Sequence, residues 1–273
     1  MYRVLRWLPH ALLASHLFFK FVTQDRSIFL DLIVYNAIWV VAVIAIAQSH
    51  LSNDPIAVAS TCLAITFWGI GSTLNSYGEF YQLPSSAQLF AQASYALFYP
   101  CALIAIPRSL VRGRRLNPLE LLDSAIFGLG ISSIATALFL SRVFPQSLIN
   151  LQDQFFSLLY PVCDLLLLII ATVALVTHRL QARAVLLFLG IAIFSASDLL
   201  FLWLAVSDNY RFGQLTDDGW LLGIVLIASS LWLQQTTNRH DVTIHPVFIA
   251  LSIFMSPTSV SYTHLTLPTN REV

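Results

Sequence analysis

An all-α, polytopic integral membrane bundle of about eight to nine transmembrane helices is the fold that this sequence predicts. Three observations predict it. Hydrophobic residues make up 57% of the 273 positions and charged residues 10%, where soluble domains carry roughly 25% charged. The mean hydropathy is +0.75. The apolar residues also gather into runs of about twenty, separated by polar or basic turns; an α-helix of that length crosses ~30 Å of hydrocarbon at 1.5 Å per residue. The formal net charge of zero says nothing about partners, because the charges are few and segregated.

In order along the chain, residues 1–21 place Arg3 and Arg6 ahead of an apolar run, as a signal peptide does. The run lacks a small-x-small cleavage site, and Pro9, His10, His16 and Lys20 interrupt it, so a first, weakly apolar membrane helix is predicted. Ile28–Ala47 is the second span, starting with Asp31 and carrying Tyr35, Asn36 and Trp39. Residues 56–74 are the third and end in Asn75-Ser76-Tyr77-Gly78-Glu79. After the loop Leu83-Pro84-Ser85-Ser86 comes the fourth, 89–106, interrupted by Tyr99-Pro100. The most basic loop follows, with Arg108, Arg112, Arg114 and Arg115, and then a fifth span at 119–140 with Asp123 near its start. Residues 155–177 and 184–206 form a hairpin, the sixth and seventh spans, around His178, Arg179 and Arg183. A polar turn at 208–213 leads to Asp218-Gly219-Trp220, which opens the eighth span. A ninth begins near Ile244 and runs only about twelve residues, too few to cross a bilayer.

Orientation follows from Lys and Arg in alternate loops. With the N-terminus inside, the inner segments hold Arg3, Arg6, Arg108, Arg112, Arg114, Arg115, Arg179, Arg183 and Arg239, nine in all. The outer segments hold Lys20, Arg26, Arg142 and Arg211, which is four. A cytoplasmic N-terminus is therefore expected.

With that topology, Asp164 lies nine residues from the outer end of its span and Asp198 eight from the outer end of its own. Each carboxylate costs roughly 2.5–3.5 kcal/mol near the bilayer centre on insertion scales. Two acids at one depth point to a polar site facing away from the cytoplasm; a pair of interhelical hydrogen bonds that only fixes packing is the other expectation. Asp164, Asp198, Tyr160, Tyr99, Asp218 and Trp220 are the candidate ligand-binding residues. Pro100 and Pro161 are expected to shape their helices, since each removes a backbone hydrogen bond and frees a carbonyl. A short direct repeat links the two regions: Leu97-Phe98-Tyr99-Pro100 and Leu158-Leu159-Tyr160-Pro161 both sit early in a helix that leads to a basic turn.

Several function classes lose support. Cys62, Cys101 and Cys163 all lie inside apolar runs without CxxC spacing, which argues against a disulfide framework or a zinc site. The histidines are scattered, no Gly-rich phosphate loop exists, and neither Asp164 nor Asp198 sits in an intramembrane aspartyl protease motif. No catalytic residue, cofactor or metal ligand is predicted. The basic residues form short turns rather than a face or arm, so nucleic acid is not an expected partner. Residues 261–273, Ser-Tyr-Thr-His-Leu-Thr-Leu-Pro-Thr-Asn-Arg-Glu-Val, break with what precedes them and resemble the translated read-through of a sequencing adapter. The expected division is a membrane domain at 1–260, its ninth helix cut short, and a non-native tail at 261–273.

The order of motifs also resembles a known arrangement. It comprises Asp31 at the start of span two, Tyr99-Pro100 after a Pro-Ser loop, and Leu121-Leu122-Asp123. Tyr160-Pro161-x-x-Asp164, Ser197-Asp198-Leu199-Leu200 and Asp217-Asp218-Gly219-Trp220 follow. It is similar to the N-terminal multi-helix membrane region of bacterial signalling proteins that carry GGDEF and often EAL domains, the diguanylate cyclases and cyclic-di-GMP phosphodiesterases. The resemblance implies a sensory input domain in the bacterial inner membrane, separated here from its cytoplasmic catalytic domain. It implies an extracytoplasmic small-molecule ligand, and a homodimer is a further expectation. The chain itself would not be an enzyme. A small-molecule or ion-coupled transporter using the same acids is the alternative, and a passive membrane anchor is a third.

Overall fold

Residues that cannot hydrogen-bond to their surroundings must satisfy their backbone internally, and long apolar stretches do this as helices. The computed structural model describes residues 2–23, 26–49, 55–110, 151–177 and 181–233, and every regular element among them is helical. Seven α-helices are seen: α1 (Tyr2–Thr23), α2 (Tyr35–Ala47), α3 (Pro55–Gly78), α4 (Ser85–Leu110), α5 (Leu151–Thr177), α6 (Ala182–Val206) and α7 (Leu215–Ser230). A π-helical turn, Ile28–Val34, leads directly into α2. Asp31 anchors it: its Oδ2 accepts from the Ser27 N–H at 2.9 Å, and its own N–H donates to the Ser27 carbonyl at 2.8 Å. Pro84 starts α4, with its carbonyl accepting from Ala87 and Gln88. Hydroxyls within the apolar helices turn back on their own backbone, as Ser60, Thr61, Ser76, Ser94 and Ser197 do to the carbonyl four residues earlier.

The helices close a ring. In order around it, α2 packs on α3, α3 on α4, α4 on α5, α5 on α6, α6 on α7, and α7 back on α2, with α1 outside against α2 and α7. Residues 95–99 meet residues 160–164 in ascending order, so α4 and α5 run parallel. The α6–α7 pair is antiparallel, because Ser197 lies beside Gly219 and Gly190 beside Gly223 and Ile227. The interior is apolar: Ile38, Ile65, Leu167, Leu187, Leu221 and Ile224 are fully buried in one continuous cluster. A cavity of about 30 Å³ remains at its centre, walled by Ile65, Phe98, Leu167, Ile191, Phe194 and Ile227. A purely apolar void of that kind stays dry.

Among the described residues, four helices are long and apolar enough to cross a membrane: Ile28–Ala47, Pro55–Gly78, Ser85–Ser109 and Ala182–Ala205. The count of eight to nine is not supported by these four; α1 carries Arg6, His10, His16 and Lys20, and α7 has 16 residues. The expected fifth span with Asp123, the arginines 112, 114 and 115, the turn residues His178 and Arg179, the ninth span and the tail at 261–273 all lie outside the described residues. Large apolar side chains face outward along the helices, among them Trp7, Phe18, Phe21, Phe29, Phe90 and Ile104. An apolar exterior on that scale suits a lipid surface.

Close backbone approach holds α6 to α7. A Cβ on Gly223 would stand 2.8 Å from the Gly190 carbonyl oxygen and 3.0 Å from Phe194 Cβ. Between apolar helices in lipid, small residues at the contact supply association that the hydrophobic effect does not. Gly223→Ala is expected to force the pair apart and cost about 1–3 kcal/mol, read as a lowered midpoint of thermal unfolding in detergent micelles.

Candidate functional site

The expected acids meet inside the ring. Asp164, 1% exposed on α5, and Asp198, half-buried on α6, bring their carboxyl groups side by side. Two neutral donors reach the pair from other helices. Tyr99 on α4 donates its hydroxyl to Asp164 Oδ1 at 3.1 Å, and Trp220 on α7 donates Nε1–H to Asp198 Oδ1 at 2.9 Å. Ser195 adds a bond from Oγ to the Asp164 carbonyl at 3.4 Å. The second Asp164 oxygen, Oδ2, is fully buried and finds no donor among the described residues. Neither acid enters an ion pair there. Four successive helices of the ring thus contribute one residue each to a single polar node.

Aromatic rings wall this node. Tyr160 stacks on Tyr99 with centroids 6.1 Å apart and planes 24° off parallel, and its hydroxyl donates to the Gln92 carbonyl at 3.2 Å. Trp220 sits edge-on to Trp68 at 6.5 Å, and Trp68 in turn to Phe194 at 6.0 Å. Pro161 is buried beside Tyr160, while Pro100 is exposed; α4 and α5 continue through both prolines.

A second cluster occupies the end of the bundle where α1 ends and α7 begins. Asp218 Oδ1 is 2.7 Å from Lys20 Nζ and 3.3 Å from Nε2 of His16, a ring with no exposed surface. Its neighbour Asp217 points the other way and closes the start of α7. Its Oδ2 accepts the Gly213 N–H and, at 3.2 Å, the Gln214 N–H, and its Oδ1 accepts the Tyr210 hydroxyl at 2.9 Å. Gly213 adopts φ +85, a conformation that side chains oppose and that turns its N–H toward Asp217. In this turn, outside the apolar helices, burial and then the Asp217 carboxylate push the Tyr210 phenol well above its ordinary range, so it remains a donor. Tyr35 donates to the Asp217 carbonyl at 3.4 Å and meets the His16 ring edge-on at 5.8 Å, tying α1, α2 and α7 together.

Of the residues singled out from the sequence, five converge: Asp164, Asp198, Tyr99, Tyr160 and Trp220. Asp218 does not join them; its carboxylate is taken by Lys20 and His16. His16, Asp217, Tyr210 and Ser195 were not foreseen as site residues. For His16 and Lys20 the signal was available, since spacing of four puts both on one face of α1. Among the described residues, no three His, Cys, Asp or Glu side chains stand close enough to hold a metal ion. Compared with protein families, curated proteins and solved structures, the chain gives no match.

The α7 cap makes a direct test. Asp217→Ala is expected to destabilise the protein by about 0.5–2 kcal/mol through loss of the cap. Tyr210→Phe should cost about 0.5–1.5 kcal/mol. Because the two share one hydrogen bond, the double variant should lose less than the sum, as read by thermal unfolding of all three in one detergent.

Proposed function

We propose that this chain is a membrane-embedded input domain of a bacterial signalling protein, with its N-terminus in the cytoplasm and its stimulus arriving from the opposite face. The observation that carries this reading is the Asp164–Asp198 pair, held by one donor from α4 and one from α7. A stimulus that changes the charge or bonding of either acid acts on four helices at once, and a coupled bundle with two arrangements is what an input domain requires. The motif resemblance supports a cytoplasmic output that makes or degrades cyclic-di-GMP. A dimer is the chain's natural assembly in this reading.

Intramembrane acids equally serve transporters, and the presence of a buried pair keeps ion-coupled transport as the second reading. Asp164→Asn and Asp198→Asn separate the two. On the input reading, each substitution, introduced at the native locus so that the output domain is present, shifts cellular cyclic-di-GMP by about tenfold, equivalent to ~1.4 kcal/mol in the underlying equilibrium, at unchanged membrane insertion. Substrate uptake into proteoliposomes that collapses in the same variants, with cyclic-di-GMP unmoved, overturns it in favour of transport.

A further inference from the structure

The carboxyl pair poses an electrostatic problem that the described side chains leave unsolved. Two unit charges about 4 Å apart repel by about 4 kcal/mol even at an effective dielectric constant of 20, and removing each from water adds to that cost. Among the described residues, other carboxylates inside or at the end of the bundle are matched with a cation or with backbone N–H groups: Asp218 takes Lys20, Asp31 the Ser27 N–H, and Asp217 the Gly213 and Gln214 N–H groups. Asp164 and Asp198 enter no such pairing, and their donors, Tyr99 and Trp220, are neutral. Among the described residues, the other titratable side chains that act on the acids or on Tyr99 carry no positive charge: Tyr95 on α4 and Tyr160 and Cys163 on α5. Asp164 Oδ2 is fully buried and finds no donor among the described residues, and the Asp198 carboxyl lies within side-chain hydrogen-bonding reach of Asp164.

We propose that Asp164 and Asp198 form a binding site for one small monocation, a proton or an alkali-metal ion, held between Asp164 Oδ2 and the Asp198 carboxyl. This rests on the reading of the two acids as the input site and names what that site takes. The occupant must be small, since Asp164 is 1% exposed and Tyr99, Ser195 and Trp220 already bond to the two residues. Entry is from the end of the bundle that carries Asn75 and Tyr95. There Asn75, exposed at the end of α3, donates to the Tyr95 hydroxyl at 3.1 Å; the Tyr95 ring meets Tyr160, which stacks on Tyr99. Trp220 is the built-in reporter, because its indole N–H is bonded to one of the two acids.

The test uses the full chain in lipid nanodiscs and takes Trp220 emission as the difference between the wild type and Trp220→Phe. One titration varies pH in choline buffer free of alkali ions; the other replaces choline chloride with sodium or potassium chloride at fixed pH and ionic strength. The expected result is a saturable single-site transition in one of the two, lost in both Asp164→Asn and Asp198→Asn. A transition in the first assigns a proton, and one in the second an alkali ion. Silence in both, with helicity retained by circular dichroism, overturns the proposal, as does a transition that survives both substitutions. The functional reading fails separately: a transition abolished by the substitutions while cyclic-di-GMP stays unchanged leaves the cation site standing and removes its role as input.

Discussion

The structure depends on a constraint set by its apolar interior: a polar group placed inside the ring must find its partner inside the ring. Water is not there to supply one, and an unsatisfied group costs several kcal/mol. Hydroxyls meet the constraint locally by bonding to their own helix, as Ser60, Thr61 and Ser197 do. Carboxyl groups are too short of donors to do so. Asp164 and Asp198 therefore reach across helices, and the donors they recruit come from α4 and α7. Satisfying two side chains in this way ties together four of the six helices of the ring.

The direct repeat acquires meaning from the same geometry. Tyr99-Pro100 and Tyr160-Pro161 lie on neighbouring parallel helices, and the two tyrosines stack. One member of the repeat supplies a donor to Asp164, and the other stacks on that donor while bonding to Gln92. Each proline removes an N–H from its helix, and stacking between the adjoining tyrosines gives the altered stretches a defined packing. The repeat thus marks a contact between helices that are far apart in the chain.

At the end of the bundle a different arrangement joins α1 to the ring. Among the described elements α1 packs on α2, α7 and the π-helical turn before α2, and it presents much of its apolar surface outward. Its specific attachments are polar: His10 to Ser229 at 2.9 Å, and His16 and Lys20 to Asp218. Adjacent acids at the start of α7 are divided between two tasks, with Asp217 closing the helix and Asp218 holding α1. Trp220, one half-turn further on, carries the connection inward to Asp198. Movement of α7 is thereby linked both to the buried acids and to α1.

By itself, the sequence determined the all-helical class, the second, third, fourth and seventh apolar spans, and the presence of Asp164, Asp198, Tyr99, Tyr160 and Trp220 as polar or aromatic residues in or at the start of apolar runs. Those follow from local properties, since hydropathy and length describe a helix's solvent and a carboxylate within an apolar run stands out wherever it packs. The first, sixth and eighth expected spans are helices as well, α1, α5 and α7, but α1 is interrupted by Arg6, His10, His16 and Lys20 and α7 has 16 residues, so the apolar pattern gives the helix more securely than the span. Tertiary structure alone decided which acids meet. Asp218 and Asp198 look alike in sequence, but rotation about the antiparallel α6–α7 contact, fixed by Gly190 and Gly223, turns Trp220 toward Asp198 and leaves Asp218 facing α1. Which neighbour a side chain faces is set by backbone approach between distant segments, and no local pattern encodes it.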